Sequence, residues 1–357
     1  MEPDAMSMRK QATETIRGTK KEAEAMLRQR LSEVDSGGHV AKDRQTVGQY
    51  MDYWMESYAA GNTTLRTQQG YRGYIRRYIL LSIGGLPLQK LTPGHVQKVY
   101  TEMSQKGLSP TTVIQLHRIL RQALSHAVGW EMLTRNVADA ATPPKKVQKQ
   151  MDMWDVATIN EFLEIAIESR YHQLYHLAVL TGMRRSELCG LRWESVEAEG
   201  KMLSVVNTLQ HITGRGLVTG NPKTARSRRS IALGHEATRL LRAIRSRQSQ
   251  QRLSVGPIWQ ETGYVFTRPD GRPLLPDEVS KDFMKQVRRH GLPHMTLHGL
   301  RHAHATLLLT AGIHPKVVSE RLGHSNIAIT MDTYSHVLPG MQEAAAEALD
   351  RRLANEG

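Results

Sequence analysis

A first short string in the second half of the chain places an arginine where an anion would bind. In Thr181-Gly182-Met183-Arg184, a Thr-Gly turn precedes a predicted helix, and the free N–H groups at a helix N-terminus favour negative charge. Arg184 stands where its guanidinium could reach a phosphate bound at that turn. The alternative is a surface ion pair between Arg184 and Glu187 or Glu194.

A second string, His298-Gly299-Leu300-Arg301-His302, sets a histidine and an arginine three residues apart. On a helix His298 and Arg301 share one face, and an imidazole and a guanidinium that converge on one point suit a phosphoryl group. Zinc is the alternative ligand, because His298 and His302 are spaced i, i+4 and His304 follows. The zincin motif carries Glu after its first histidine, and Gly299 occupies that place here.

A third string supplies a lysine within a basic segment. Lys223 follows Pro222 in a predicted hairpin-like turn that leads into a strand, and at its tip the ammonium group could reach a substrate. The alternative is a basic loop that contacts solvent or DNA backbone phosphates. The arginines of the segment are predicted to contact DNA, and they are Arg226, Arg228 and Arg229.

The fourth string, Leu322-Gly323-His324-Ser325, is followed ten residues after His324 by Tyr334. A phenol can act as a nucleophile in covalent catalysis. Taken alone, a tyrosine at this position is more typical of a packed aromatic side chain, and each of the four strings is weak by itself.

The elements that must position these residues are mainly helices. Residues 46–135 show helical spacing of apolar residues and no strand-like alternation. Helices are predicted from Thr46, from about Thr67, from Thr92-Pro93 and from Ser109-Pro110, and together they would form a small bundle. A capping box at Thr19 predicts one more helix at about 19–34.

The predicted bundle is strongly basic. Residues 44–150 carry 14 basic and 5 acidic side chains, in a chain whose net charge is +14. A surplus of this size points to a polyanion, and nucleic acid is the first candidate. The alternative is a solvated helix face. The predicted DNA-contacting side chains are those of Arg72, Arg76, Arg118 and Arg121.

Beyond the bundle the pattern becomes mixed. Pro143-Pro144-Lys145-Lys146 and the polar residues after it predict a linker at 143–152 between a segment at 44–142 and one at 153–357, with 1–43 as a separate N-terminal segment. The last segment contains predicted helices and short strands, so the fold class is mainly α with a small antiparallel β-sheet (α+β). Its helices are predicted near 155–169, 172–180, 235–249, 276–290, 299–312 and 315–322, with a last helix from about Met341, and its strands near 202–207, 216–220, 229–233 and 264–266.

Length and composition bound the class of protein. A chain of 357 residues exceeds what one hydrophobic core usually supports, which predicts two or more domains. The single cysteine, Cys189, excludes an intrachain disulfide and a cysteine-based zinc site. No apolar run approaches the length of a membrane span, and no apolar signal segment opens the chain, so we expect a reducing, intracellular setting.

The four strings, in this order after a basic helical bundle, resemble the tyrosine recombinases, also called the lambda-integrase or phage integrase family. The resemblance covers roughly residues 44 to 350 and implies a SAM-like core-type DNA-binding bundle at 44–142 and a catalytic domain at 153–357. The helix at about 19–34 is similar to the last element of an arm-type DNA-binding domain. The resemblance rests on six sequence motifs, which are Thr181-Gly182-x-Arg184, Glu187-Leu188-x-x-Leu191-x-Trp193, Pro222-Lys223-Thr224, His298-x-x-Arg301-His302, Leu322-Gly323-His324-Ser325 and Thr333-Tyr334-x-His336.

The resemblance implies a role for each candidate residue. Tyr334 would attack a DNA phosphate to give a 3′-phosphotyrosyl bond and a free 5′-hydroxyl. Arg184 and Arg301 would clamp the non-bridging oxygens, because guanidinium groups match phosphate and stay charged. Lys223 would protonate the leaving oxygen.

Three further residues complete the implied site. His298 and His324 would contact the phosphate and help to manage the tyrosine proton, and Glu187 would orient its neighbours. Two Arg, one Lys and two His supply the charge and the proton transfers that metal ions supply elsewhere. We therefore expect neither a metal nor another cofactor.

The implied partner is double-stranded DNA at attachment sites, gripped by both domains, with four protomers assembled on two duplexes. Residues 341–355 resemble a C-terminal helix that docks on a neighbouring protomer, and packing on its own domain is the alternative. The resemblance allows for an accessory directionality factor as a further partner. The absence of targeting signals fits a location in a bacterial cytoplasm. The rival functions are a type IB topoisomerase-like relaxase and a non-catalytic DNA-binding regulator.

Overall fold

The computed structural model describes residues 18–35, 44–146, 154–220 and 228–334, and single helical positions between 346 and 354. It divides into two compact units, Met1–Gln148 and Lys149–Gly357. Each unit has a hydrophobic core of its own. The boundary between the units lies within the segment predicted as a linker. Within these described ranges, no helix is both long enough and apolar enough to cross a membrane.

The first helix, α1 (Lys20–Asp35), begins at the predicted capping box. The backbone N–H of Thr19 donates to the Glu22 carboxylate (2.8 Å), and the Glu22 N–H donates to the Thr19 hydroxyl (3.4 Å). Met26 and Leu27 are exposed. Two apolar side chains of α1 are therefore not covered by the rest of the protein.

The bundle of the first unit begins with two long helices, each interrupted by one wider turn. The first consists of α2 (Val47–Trp54), a π-helical turn (Met55–Ala59) and α3 (Ala60–Asn62). The second consists of α4 (Leu65–Tyr74), a π-helical turn (Ile75–Ile79) and α5 (Leu80–Ser82). The buried residues of both π-helical turns belong to the core of the unit.

Two regular helices complete the bundle, α6 (Pro93–Gln105) and α7 (Pro110–Gly129). Short 3-10 turns follow Pro87 and Asn136 (Leu88–Lys90 and Val137–Ala140). The Thr92 and Ser109 side chains accept hydrogen bonds from the first turns of α6 and α7, with proline at the first helical position. These local signals place the helix starts where the sequence predicts them.

The second unit is built on eight helices among its described residues. They are α8 (Val156–Ile165), α9 (His172–Thr181), α10 (Arg185–Cys189), α11 (His235–Val255), α12 (Pro276–Arg289), α13 (Leu297–Thr310), α14 (Pro315–Leu322) and α15 (Ile327–Tyr334). Helix α13 packs against α9, α12 and α14. Most of the helix predicted from Met341 lies outside the described residues, and its described apolar residue Leu353 is helical and exposed.

The strands form two small antiparallel sheets, and two predictions about them are wrong. Strand β1 (Met202–Val205) pairs with β4 (Arg229–Ala232), and β2 (Thr208–Ile212) pairs with β3 (Gly216–Gly220). The segment between β3 and β4 therefore joins two sheets and does not close a hairpin between those strands. Residues 264–266 form no strand, and Tyr264 makes only an isolated bridge to Arg192.

Candidate active site

Arg184 lies at the turn between α9 and α10. Gly182 ends α9 in the left-handed conformation (φ 64°), and Arg184 is the N-cap of α10. The Arg184 backbone N–H donates to Glu187 Oε2 (2.8 Å), and Arg184 Nη1 donates to Glu187 Oε1 (2.7 Å). The ion pair considered from the sequence is present, but the Glu187 side chain is only 2% exposed, so it is not a surface pair.

Glu187 holds a second arginine. Arg229 Nη2 donates to Glu187 Oε2 (2.9 Å) and Nη1 to Oε1 (3.2 Å). Burial opposes ionisation of Glu187, but the hydrogen bond and charge of Arg229 and the charge of Arg184 outweigh it, so the pKa of this carboxyl lies below its ordinary value. Glu187 is therefore a buried carboxylate between two guanidinium groups.

The prediction that Arg229 contacts DNA needs correction. Its side chain is only 6% exposed, and the guanidinium is used by Glu187 and by the carbonyl oxygen of Arg321 (Nε to O, 2.6 Å). All three guanidinium nitrogens of Arg229 donate to protein acceptors, and two of them to one buried carboxylate, so a phosphate would have to displace Glu187. Its neighbour Arg228, which lies just before β4, is exposed.

Arg301 is buried between two helix ends. It is 3% exposed, and it donates through Nη1 to the carbonyl oxygen of Gly182 (2.9 Å) and through Nη2 to that of Leu322 (2.7 Å). These contacts fix Arg301 of α13 against the C-termini of both α9 and α14. Any added Cβ at Gly182 would lie 2.6 Å from His304 Cδ2, so glycine is required there by space as well as by φ.

The C-terminus of α14 receives three arginines on three successive carbonyl oxygens. Arg229 donates to the carbonyl of Arg321, Arg301 to that of Leu322, and Arg184 Nη2 to that of Gly323 (3.3 Å). The last carbonyls of a helix lack intrahelical partners and carry the negative end of its dipole. The end of α14 therefore offsets the mutual repulsion of the cations it gathers.

Three histidines lie beside these cations and are held neutral. Burial first, and then the nearby charges that include Arg301, lower the pKa of His298. The same kinds of cause lower the pKa of His302 and that of His324 to about 4. The rings of His298 and His302 meet edge to face, 4.9 Å apart. A neutral imidazole has one ring nitrogen that donates a hydrogen bond and one that accepts.

His304 and Arg321 were not predicted to support the site. His304 is buried and engages both ring nitrogens, Nδ1 with the carbonyl of Val179 (2.7 Å) and Nε2 with Arg321 Nε–H (3.2 Å). Arg321 also donates to the carbonyls of Ala232 (2.8 Å) and Leu180 (3.2 Å). These bonds tie α9, α13, α14 and β4 together. The sequence suggested only a metal-ligand alternative for His304, and the described residues contain no cluster of three or more His, Cys, Asp or Glu side chains suited to a metal.

The other predicted site residues fall into two groups, those outside the described residues and those in the first unit. Lys223 and Arg226 lie outside the described residues. Tyr334 is the last residue of α15, but its side chain is also outside the described set. In the first unit the predicted DNA-contacting arginines are exposed, and one of them, Arg121, pairs with Asp139 (2.6 Å).

Family models match both units. The phage integrase family model matches residues 149–340, which is more than half of the chain, and the model of the phage integrase N-terminal SAM-like domain matches residues 46–104. The XerC-like tyrosine recombinase of Caldanaerobacter subterraneus is 30% identical over 93% of this chain and 90% of its own length. The ICEBs1 integrase of Bacillus subtilis is 26% identical over 74% of this chain and 72% of its own length.

Solved structures of integrases share the fold. The Tn1549 transposon integrase in complex with a circular intermediate DNA has a TM-score of 0.73 at 23% identity, covering 85% of this chain and 99% of that one. The lambda integrase tetramer bound to a Holliday junction has a TM-score of 0.63 at 19% identity, covering 88% and 87%. The family matches and the relative that is 30% identical along nearly the whole chain show that this protein belongs to the phage integrase family of tyrosine recombinases, site-specific enzymes that break and rejoin DNA.

Proposed function

We propose that this recombinase cleaves DNA through Tyr334 and holds the scissile phosphate with Arg184 and Arg301. The observation that supports the proposal is the convergence of both guanidinium groups on the C-terminus of α14, beside the neutral imidazoles of His298 and His324. Fixed cations stabilise the charge that develops on a five-coordinate phosphorus.

The proposed cleavage step forms one bond to phosphorus, breaks another and transfers two protons. The phenolic oxygen of Tyr334 forms a bond to phosphorus, and the bond from phosphorus to the 5′-oxygen breaks. The phenolic proton passes to a neutral imidazole, for which His324 and His298 are the candidates. The Lys223 ammonium group gives a proton to the leaving 5′-oxygen. Attack by a 5′-hydroxyl reverses the sequence and rejoins the strand, and the covalent bond preserves the energy of the phosphodiester.

The test is a nicked suicide substrate that carries the attachment site. We expect the unaltered chain to give a covalent protein–DNA adduct on a denaturing gel, and Tyr334→Phe to bind DNA normally without giving the adduct. Lys223→Ala should slow cleavage far more than it weakens binding, and an equal loss of both would contradict its general-acid role. An unaltered chain that binds but never forms the adduct would favour the DNA-binding regulator, and relaxation of a supercoiled plasmid without recombination would favour the topoisomerase.

The assembly on DNA follows from the same proposal. We propose an N-terminal segment (1–43) that is a remnant of an arm-type domain, a core-type DNA-binding domain (44–142), a linker (143–152) and a catalytic domain (153–357), acting in a bacterial cytoplasm to integrate or excise a mobile element. Four protomers would join two duplexes, as the lambda integrase tetramer bound to a Holliday junction suggests. Residues 341–355 would dock on a neighbouring protomer. The mass of the complex on a Holliday junction, with and without residues 341–357, tests this, and an accessory directionality factor would appear as a requirement for excision alone.

A further inference from the structure

Helix α15, which ends at Tyr334, is held to the rest of its unit at one buried position among the side chains from Ser325 to Met331. Ile327, Ile329 and Met331 are each more than a third exposed, whereas Thr330 is fully buried. Helix α15 packs against α14. Among the described side chains of α15, Thr330 is therefore the one that is buried against the rest of the unit.

The Thr330 hydroxyl lies 2.8 Å from Nδ1 of His324. This bond joins the residue that follows the C-cap of α14 to the helix that ends at Tyr334. Because one ring nitrogen is occupied by Thr330, the other, Nε2, is directed away from α15. A hydroxyl group can donate or accept, so Thr330 can serve either tautomer of the imidazole.

We propose that Thr330 is a positioning residue that fixes the His324 ring toward the scissile phosphate and sets the start of the turn that presents Tyr334. Tyr334 follows Thr330 by four residues, about 6 Å along a helix axis, so one hydroxyl couples the imidazole to the nucleophile-bearing turn. Hydrogen-bond partners that orient metal-binding histidines are worth about 10- to 100-fold in affinity or activity, and we expect an effect of the same order for His324. The inference rests on the proposed function, since it assumes that Tyr334 and His324 act on the phosphate.

The chain offers a matched set of variants for the test. Thr330→Val removes the hydroxyl and keeps the shape, whereas Thr330→Ser keeps the hydroxyl. Thr306 of α13 has a buried hydroxyl without a hydrogen-bond partner in the described structure. Thr306→Val is therefore the control for the same chemical change where no bond is lost.

The measurement is single-turnover cleavage of the nicked suicide substrate by the full chain, at protein concentrations that saturate the DNA. We expect Thr330→Val to cleave about 10- to 100-fold more slowly with unchanged DNA affinity. Thr330→Ser and Thr306→Val should cleave at close to the unaltered rate. In a His324→Ala background, adding Thr330→Val should slow cleavage no further, because the partner of the hydroxyl is already gone.

Each contrary result overturns the inference. Thr330→Val at the unaltered rate, or a folded Thr330→Ser as slow as Thr330→Val, would show that the hydroxyl does not matter. A further full loss in the His324→Ala background would show that Thr330 acts through some other group. If Thr330→Val fails to fold, a folded Thr330→Ser that cleaves much more slowly than the unaltered chain still contradicts the role of the hydroxyl. An unaltered chain without an adduct would refute the proposed function, a result distinct from all of these.

Discussion

Glu187 shows at the scale of one residue how the site keeps several arginines close together. Its carboxylate accepts hydrogen bonds from Arg184 and Arg229 and from the backbone of α10 at Arg184. Arg229 in turn donates to the backbone at Arg321. A buried anion between two cations is costly to remove, because a partner is then left buried without compensation.

Replacing Glu187 by Gln should therefore destabilise the second unit by about 3 kcal/mol at neutral pH. Since the pKa of Glu187 lies below its ordinary value of 4.5, its stabilising effect is present above pH 4.5 and is lost as the pH falls through the folded-state pKa. The difference in unfolding free energy between Glu187→Gln and the unaltered chain should shrink over that acidic range. Urea unfolding at several pH values measures it.

Glu236 provides the control for this prediction. It pairs with Arg239 at 2.6 Å on α11, but its side chain is 55% exposed, and exposed ion pairs contribute little. Glu236→Gln should leave stability unchanged within error. An equal effect of the two substitutions would mean that the buried carboxylate has no special part in the site.

At the scale of elements, the backbone carbonyl groups at the C-termini of two helices form hydrogen bonds with side chains of other elements. The C-terminal carbonyls of α14 bind three arginines, and the last turn of α9 with Gly182 binds Arg301, Arg321 and His304. Both helices end in a left-handed glycine, Gly182 and Gly323. These glycines turn the chain sharply, which leaves the preceding carbonyl groups open to side chains from other elements.

Gly182→Ala tests this arrangement. Alanine would have to adopt φ near +64° with its Cβ 2.6 Å from the His304 ring. We expect a loss of about 2–5 kcal/mol from backbone strain and overpacking together, and slower DNA cleavage because the Gly182 carbonyl holds Arg301. Chemical unfolding and the suicide-substrate assay measure the two effects.

Gly291→Ala is the matched variant at the end of α12. Gly291 also has a positive φ of 69°, but open space surrounds it, so only the backbone cost of about 1–2 kcal/mol applies. Cleavage should be unaffected. If the two glycine variants lost the same stability and the same activity, the close packing of Gly182 on His304 would not matter.

At the scale of the whole molecule, the basic charge is shared between the two units. The net charge of the chain is +14, and the first unit presents exposed arginines on the surface of its bundle. Binding that neutralises phosphates releases counterions, so affinity falls with salt in proportion to the number of contacts. The slope of this salt dependence therefore gives the number of phosphates that basic side chains contact.

If each guanidinium contacts one phosphate, Arg72→Ala and Arg76→Ala should each make the negative slope of log affinity against log salt shallower by about 0.9. Both side chains are exposed and lie one turn apart. Arg252→Ala is the control, because Arg252 is exposed on α11, pairs with Glu261 and is not assigned to DNA. Fluorescence anisotropy over a range of salt concentrations gives the slopes. Unchanged slopes for Arg72→Ala and Arg76→Ala would remove these two residues from the DNA interface.

Helix starts and residue types could be read from the sequence because they depend on local signals. Thr46, Thr92 and Ser109 cap the helices that follow them, and a cap acts within one turn of the chain. The spacing of His298 and Arg301 likewise places both on one face of α13. The order of the four strings was enough to indicate the family, which the matches to family models confirm.

Only the tertiary structure decided what depends on distant partners. Residues 264–266 have a strand-like composition, but Tyr264 forms only an isolated bridge to Arg192. Strand β2 was not predicted, and it pairs with β3. A strand forms only where another chain segment supplies hydrogen bonds, and sequence pattern alone does not identify that segment. The same limit explains Arg228 and Arg229, adjacent arginines of which one is exposed and the other lies buried on Glu187. The environment of Arg229 is set by Glu187 of α10 and Arg321 of α14, which lie 42 and 92 residues away in the sequence.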